Sequence, residues 1–512
     1  MINSQSRTAK SIKNSTYALI FFCIEFALKF FSRSVFLKIL GDEILGLNST
    51  MMNLLQFLNL AELGIGAAVG FTLYKPIADN DDTSIDEIIQ LNGFLYKRIS
   101  WIVAGGAIVL MCFFPWIFSK THLPLWYSYA TFLVFLLGLL LNYSVNYKQI
   151  LLSASQLDYK ILYSYRSFLI LKVLVQIIVV ELLPHPYVWW LVTEGVFTVI
   201  ASISLDITVR KSFKFLGSKR TTYIQLKQKY SVILTKIKQV FYHKICGFIL
   251  TQTSPLIIYG FLSLTVVTLY SNYMIIVSGV TLLFNSVFNS MMGAIGNLVA
   301  ENNIQKTVNV FFEIFSIRFL VTAFCCLGIL IIAAPLITIW IGPQYVLSNV
   351  TTGIIVATLF ISLTRTTVDS FLNAYGMYQD VLSPVIEAIL NIGCSILLGY
   401  HYGLNGILCG TLFSLLLVVF LWKPYFLFRW GFKMPIKSYI IVYMKHFLAI
   451  IITVLLWYIC FKTFIHDVSA NYFAGFCLFT MLNVFVVGGG LLFSTFLFKL
   501  QAINTIKRFL KR

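Results

Sequence analysis

Glu25, Lys29 and Arg33 recur every four residues within an otherwise apolar run, residues 17–40, that is long enough to cross a bilayer as a helix. At 3.6 residues per turn the three charges stack on one face, with Leu, Ile, Phe and Val opposite. Charge at membrane depth is costly and is tolerated where it faces protein or a water-filled cavity. This face is therefore expected to line a polar interior. Two structural alternatives stand beside that reading: a Glu25–Lys29 ion pair, and Arg33 and Lys38 snorkelling to the interface.

Further charges fall inside apolar stretches: Glu62, Lys172, Glu194, Arg318, Arg365, Asp369 and Glu387. Arg365 and Asp369 are again four apart, so an ion pair is the default there. Lys172 has no opposite charge one turn away, which leaves a partner on another helix or an anionic ligand. Arg318 is placed near the inner interface. If Lys29, Arg33, Lys172 and Arg365 were exposed to one cavity, they would suit a diphosphate, which accepts several charge-assisted hydrogen bonds.

Enzymatic chemistry finds little support. The chain has no Gly-rich phosphate loop, HExxH, GxSxG, or paired aspartates on a sizeable loop. The histidines at 122, 185, 243, 401, 446 and 466 read as loop or helix-end residues, and the nine cysteines form no CxxC or metal-spaced cluster. Neither a metal nor another cofactor is expected, and H+ or Na+ is left open as a coupling ion.

The elements that must position these charges are transmembrane helices. Of 512 residues 59% are hydrophobic and only 11% charged, against roughly 25% charged in soluble chains. The net charge of +19 does not imply nucleic acid, because the basic residues fall between apolar stretches. The N-terminus lacks a cleavage-site pattern and is expected to stay in the mature protein. Helix two is read over about 44–74, ending at Leu-Tyr-Lys75-Pro76, and the acidic stretch 79–87 as a solvated turn without a direct role. Helices three to six follow to residue 209, with Tyr187, Trp189 and Trp190 as an interfacial belt.

Residues 210–244 hold ten Lys/Arg and no acid, and read as a cytoplasmic linker on the inner membrane surface. The pattern then repeats: Leu47 to Asn80 matches Leu269 to Asn302 in spacing. The expected organisation is an N-lobe over 1–209, the linker 210–244 and a C-lobe over 245–422. The remaining stretch, 423–512, holds a basic segment, two more helices and a basic tail. That gives about fourteen spans in an all-α integral membrane protein, with both termini cytoplasmic by the Lys/Arg bias.

At this point the sequence resembles a known family. The run Leu47-Asn48 … Ala61-Glu62-Leu63-Gly64-Ile65-Gly66-Ala67 … Leu73-Tyr74-Lys75-Pro76 resembles helix two of Wzx-type polysaccharide repeat-unit flippases. So does Leu269-Tyr270-Ser271-Asn272-Tyr273 … Gly296-Asn297-Leu298 in helix eight. These belong to the multidrug/oligosaccharidyl-lipid/polysaccharide (MOP) superfamily. The resemblance implies a MATE-like arrangement of two pseudo-symmetric six-helix lobes plus two C-terminal helices around a central cavity. It also implies translocation of undecaprenyl-diphosphate-linked oligosaccharide from the inner to the outer leaflet of the cell membrane by alternating access. Helices one, two, seven and eight line the cavity in that superfamily. Glu25, Lys29, Arg33, Glu62 and Asn272 thus become candidate lining residues, followed by Lys172, Arg365 and Asp369. Implied partners are the lipid-linked oligosaccharide, membrane lipids, and a polymerase and glycosyltransferases of the same pathway.

Three other functions compete. A lipid II flippase shares the proposed chemistry. A multidrug or cation antiporter should carry an acidic cavity, whereas here basic residues match or exceed acidic ones. A membrane glycosyltransferase or polymerase would need a large outer loop or acidic loop pairs, and the chain has neither.

Overall fold

A computed structural model describes residues 7–62, 65–217, 221–231, 252–288, 291–301, 303–377, 380, 382–465 and 473–503, with 233 and 237. The expected start of helix seven, most of the basic stretch beyond 231 and the tail beyond 503 lie outside the described residues. Within them the chain is almost entirely helical. Hydrocarbon offers no partner for backbone N–H and C=O, and a helix satisfies them within its own segment. Nine helices among the described residues are long and apolar enough to cross a membrane.

The chain forms two compact units, residues 1–268 and 269–512. The division falls in the first turn of the eighth expected span, not in the basic stretch.

Unit 1 opens with α1 (Arg7–Leu40), ended by Gly41, whose φ of 85° suits glycine. Next come α2 (Asp42–Leu58), a 3-10 turn (Asn59–Glu62) and α3 (Ile65–Asp79). The expected single helix over 44–74 is therefore interrupted by the 3-10 turn at Asn59–Glu62, and its second part runs on through Pro76 to Asp79. α4 (Asp82–Cys112) is capped by Asp81, which accepts the Ser84 amide at 3.0 Å. α5 (Leu125–Ser144) leads through the 3-10 turn Asn146–Lys148 to a π-helical turn, Leu162–Arg166, which opens α6 (Ser167–Leu182). Pro186 begins α7 (Pro186–Ser212) in the first helical position, where proline costs no hydrogen bond. A short α8 (Tyr223–Lys229) carries a capping box, Thr222 with Gln225.

The acidic stretch is not the solvated turn expected from the sequence. Asp86 is buried and accepts the Gly217 amide at 2.8 Å, while Glu87 accepts from Lys229 (2.5 Å) and Tyr230 (2.7 Å). Together with Gln90, which accepts the Thr221 amide, they tie the described part of the basic stretch to α4.

Unit 2 continues α9 (Leu264–Phe288) into α10 (Met292–Ala300), α11 (Ile304–Trp340), α12 (Asn349–Ala374), α13 (Leu382–Ser414), α14 (Lys437–Cys460) and α15 (Phe473–Leu497). α13 is two helices that meet at the non-helical Gly403, and the second runs on along a helical path to Gly431. The expected helices eleven and twelve are thus the two helices on either side of that break, where glycine permits φ 56°, and Ser395 of the first donates to the Ile407 carbonyl of the second at 2.9 Å. Phe311, Phe315, Phe319, Phe371, Phe428 and Phe432 form the core where α11, α12 and the end of that path meet. Ring centroids of 5.2 to 5.5 Å, mostly edge-on, suit the aromatic quadrupole.

Candidate functional site

In unit 1 the α1 charges do not pair among themselves. Glu25 reaches across to Arg166, with Nη1 at 3.4 Å from both carboxylate oxygens. The alternative Glu25–Lys29 pair is not formed, because Arg166, at the end of the π-helical turn, supplies the counter-charge instead. A π-bulge widens one helical turn, and such turns recur at functional positions. Lys29 is exposed, and its ammonium has no partner among the described residues. One turn further on, Arg33 is half-buried and its Nη2 donates to the Thr268 carbonyl at 3.4 Å. Thr268 in turn donates its hydroxyl to the Asp42 carbonyl at 2.6 Å, which ties Arg33 to the start of α2. Arg33 therefore has a protein partner, and Lys38 alone of the proposed snorkelling pair is exposed.

Lys29 and Arg33 lie about 6 Å apart along the helix axis at 1.5 Å rise per residue. With Arg166 they make three cations to the one carboxylate of Glu25. Such a face can hold an elongated anion.

Glu62 turns away from this row. Its Oε1 accepts from the Tyr96 hydroxyl at 2.8 Å, and Tyr143 donates to Asn59 at the same helix break. Both bonds bridge the interrupted stretch to α4 and α5. Lys172 is engaged too: Nζ lies 2.6 Å from Glu194 Oε1 on α7, and Gln176 donates to the other carboxylate oxygen at 2.9 Å. Of the two possibilities the sequence left for Lys172, the structure has the partner on another helix.

In unit 2, Asn272 is fully buried on α9 in this structure. Arg365 and Asp369 form the expected pair at 2.8 Å on α12, and two further charges join it. Lys423 lies 3.3 Å from Asp369, and the buried Glu387 lies 3.5 Å from Arg365. Two cations and two carboxylates close a neutral network. Arg318 is 2% exposed; it donates to Ser370 (3.1 Å), Thr366 (3.4 Å) and the Phe288 carbonyl (3.3 Å).

Sequence reasoning missed three groups. Arg166 was hidden because it sits at the mouth of an apolar helix, where a basic residue reads as topology. Lys423 was assigned to the basic segment that follows. His446 was read as a helix-end residue, yet it is wholly buried inside α14, bonded to the Val442 carbonyl and the Ser316 hydroxyl at 2.7 Å each. Both ring nitrogens are satisfied in a neutral ring, so it reads as structural. No group of metal-ligating side chains occurs among the described residues.

No protein-family model and no curated protein matches the sequence. Solved structures do match. The chain is similar to the lipid II flippase MurJ in an inward closed conformation, with TM-score 0.66, 15% identity, 95% of this chain and 99% of that one covered. It is also similar to an inward-facing multidrug resistance MATE transporter of the MOP superfamily, with TM-score 0.58, 14% identity and coverages of 80% and 94%. A MOP-superfamily transporter from Pyrococcus furiosus, described as having a binding pocket of reversed polarity, matches with TM-score 0.50, 12% identity and coverages of 83% and 96%. The chain therefore has the all-α membrane-transporter fold of MurJ and the MATE proteins.

Proposed function

We propose that this protein is a flippase that moves undecaprenyl-diphosphate-linked oligosaccharide repeat units from the inner to the outer leaflet by alternating access. The observation that carries the reading is the α1 face, where Lys29, Arg33 and Arg166 outnumber the single carboxylate of Glu25. A diphosphate needs charge-assisted donors spread over several ångströms, and a planar guanidinium binds it bidentately. A cation antiporter would need the opposite balance. The fold shared with a lipid II flippase supports a lipid-linked substrate, and lipid II transport is the second reading, since the α1 chemistry serves it equally. Under either, the termini face the cytoplasm and an H+ or Na+ gradient can drive the cycle.

The test is export by charge variants in cells that accumulate lipid-linked sugar on the inner leaflet when export stops. Arg33→Gln is expected to reduce export at least about tenfold, or about 1.4 kcal/mol of lost interaction. Arg33→Lys should remain impaired, because a point charge does not reproduce the planar fork. Normal export by Arg33→Gln at normal protein levels would end the reading. Complementation of a strain lacking its lipid II flippase, but not of one lacking its repeat-unit flippase, would favour the second reading.

A further inference from the structure

We propose that a cavity on unit 1 binds the phosphate headgroup of an anionic phospholipid from the surrounding membrane. The cavity, about 500 Å3, lies between α4 and the end of α5, and its walls include Gln90, Lys97, Ser100, Trp101, Ser144 and Tyr147. That volume is typical of small-ligand sites.

Its place along α4 points to a headgroup. Before Lys97 the helix carries Asp86, Glu87, Gln90 and Asn92; from Ile99 to its end at Cys112 it is almost wholly apolar. A helix passing from water into hydrocarbon puts that change at headgroup level, where basic and tryptophan side chains gather. Trp101 is 72% exposed there, as an indole flanking lipid would be.

The polar groups suit one phosphate. Lys97 is exposed, and its ammonium has no partner among the described residues. The neighbouring cations are committed: Arg98 stacks 4.0 Å over the Tyr223 ring, and Lys148 pairs with Asp206 at 2.8 Å. Tyr147 lies flat against α4 because residue 93 is glycine; a Cβ there would come within 2.9 Å of its hydroxyl. The Tyr147 ring also stacks on Tyr96 at 6.2 Å, which fixes the hydroxyl at the cavity wall. An ammonium with the Tyr147 and Ser100 hydroxyls gives three donors to a phosphate monoester or diester. Phe94 and Trp101 offer an apolar flank for the glycerol and first methylenes, which a free phosphate would not use. This site is independent of the substrate reading, and its test does not involve export.

The test is native mass spectrometry of the purified full-length protein with phosphatidylglycerol or phosphatidylcholine of matched chains. Wild type should retain phosphatidylglycerol about tenfold better, as a charge-assisted headgroup contact predicts. Lys97→Gln should lose that preference, and Tyr147→Phe, which keeps the ring and the fold, should lose about threefold. Lys433→Gln, an exposed lysine that does not line the cavity, should lose nothing. Equal retention of the two lipids by wild type would overturn the proposal. So would Lys97→Gln and Tyr147→Phe both matching wild type, or inorganic phosphate displacing the lipid as well as soluble short-chain phosphatidylglycerol does.

Discussion

Glu25/Lys29 on α1 and Arg365/Asp369 on α12 are both opposite charges four residues apart, and of these two pairs only the second closes. In isolated helices the order Glu then Lys is the better one, so local preference predicts the reverse. Neighbouring helices decide instead. Around α12, Lys423 and Glu387 complete a neutral network of four groups. Around α1, the one incoming charge is Arg166, which takes Glu25 and leaves Lys29 without a partner among the described residues. The first arrangement holds helices together, while the second leaves positive charge for an outside anion.

The comparison breaks most sharply at Arg365. Arg365→Leu leaves Asp369 with Lys423 and strands the buried Glu387, and removing one partner of a buried pair costs about 3–5 kcal/mol. Thermal unfolding in detergent should show a large loss, whereas Arg33→Gln should unfold like wild type. If Arg33→Gln were the less stable variant, the α1 charges would be the structural ones.

A smaller effect is expected at Lys172. Lys172→Met leaves Glu194 with only the Gln176 donor and should destabilise by roughly 2–4 kcal/mol. Adding Glu194→Leu should recover most of it, since no charge is then left unpaired. A double variant that unfolds like the single one would mean that Lys172 acts elsewhere. Glu25→Gln should be milder still, below about 1 kcal/mol, because its pair with Arg166 is long and partly exposed.

The mildest effects concern the acidic stretch. Asp86→Asn weakens the tie to Gly217, and faster protease cleavage within 217–231 should report it. Asp81 accepts the Ser84 hydroxyl and amide, and these bonds hold its carboxyl below the usual aspartate range. A depressed folded-state value means the cap is fully in place at neutral pH and fails as pH falls through that value. Amide exchange at Ser84 should therefore quicken only in acid.

Most helices were legible because hydropathy records an apolar run whatever its neighbours do. The 3-10 turn at 59–62 was not, because Leu60, Ala61 and Ile65 keep the run apolar while its path changes. The tryptophan belt was half legible. Trp189 is exposed, but Tyr187 and Trp190 are buried in a ring stack, and composition does not separate an interfacial aromatic from a core one. Among the site residues, sequence spacing put the three α1 charges on one face. It could not supply Arg166 or Lys423, since ion pairs between distant segments leave no periodic trace. The role of the acidic stretch was misjudged for the same reason: the groups that bind Asp86 and Glu87 lie more than a hundred residues away.

The central claim is that the α1 cations hold a diphosphate. Direct binding of undecaprenyl diphosphate and of undecaprenol to the purified protein tests it, for wild type and for the Lys29→Gln/Arg33→Gln double variant. The account predicts that wild type prefers the diphosphate and that the double variant loses that preference by about a hundredfold, roughly 2.7 kcal/mol, with undecaprenol binding unchanged. An unchanged diphosphate affinity in a folded double variant would contradict it.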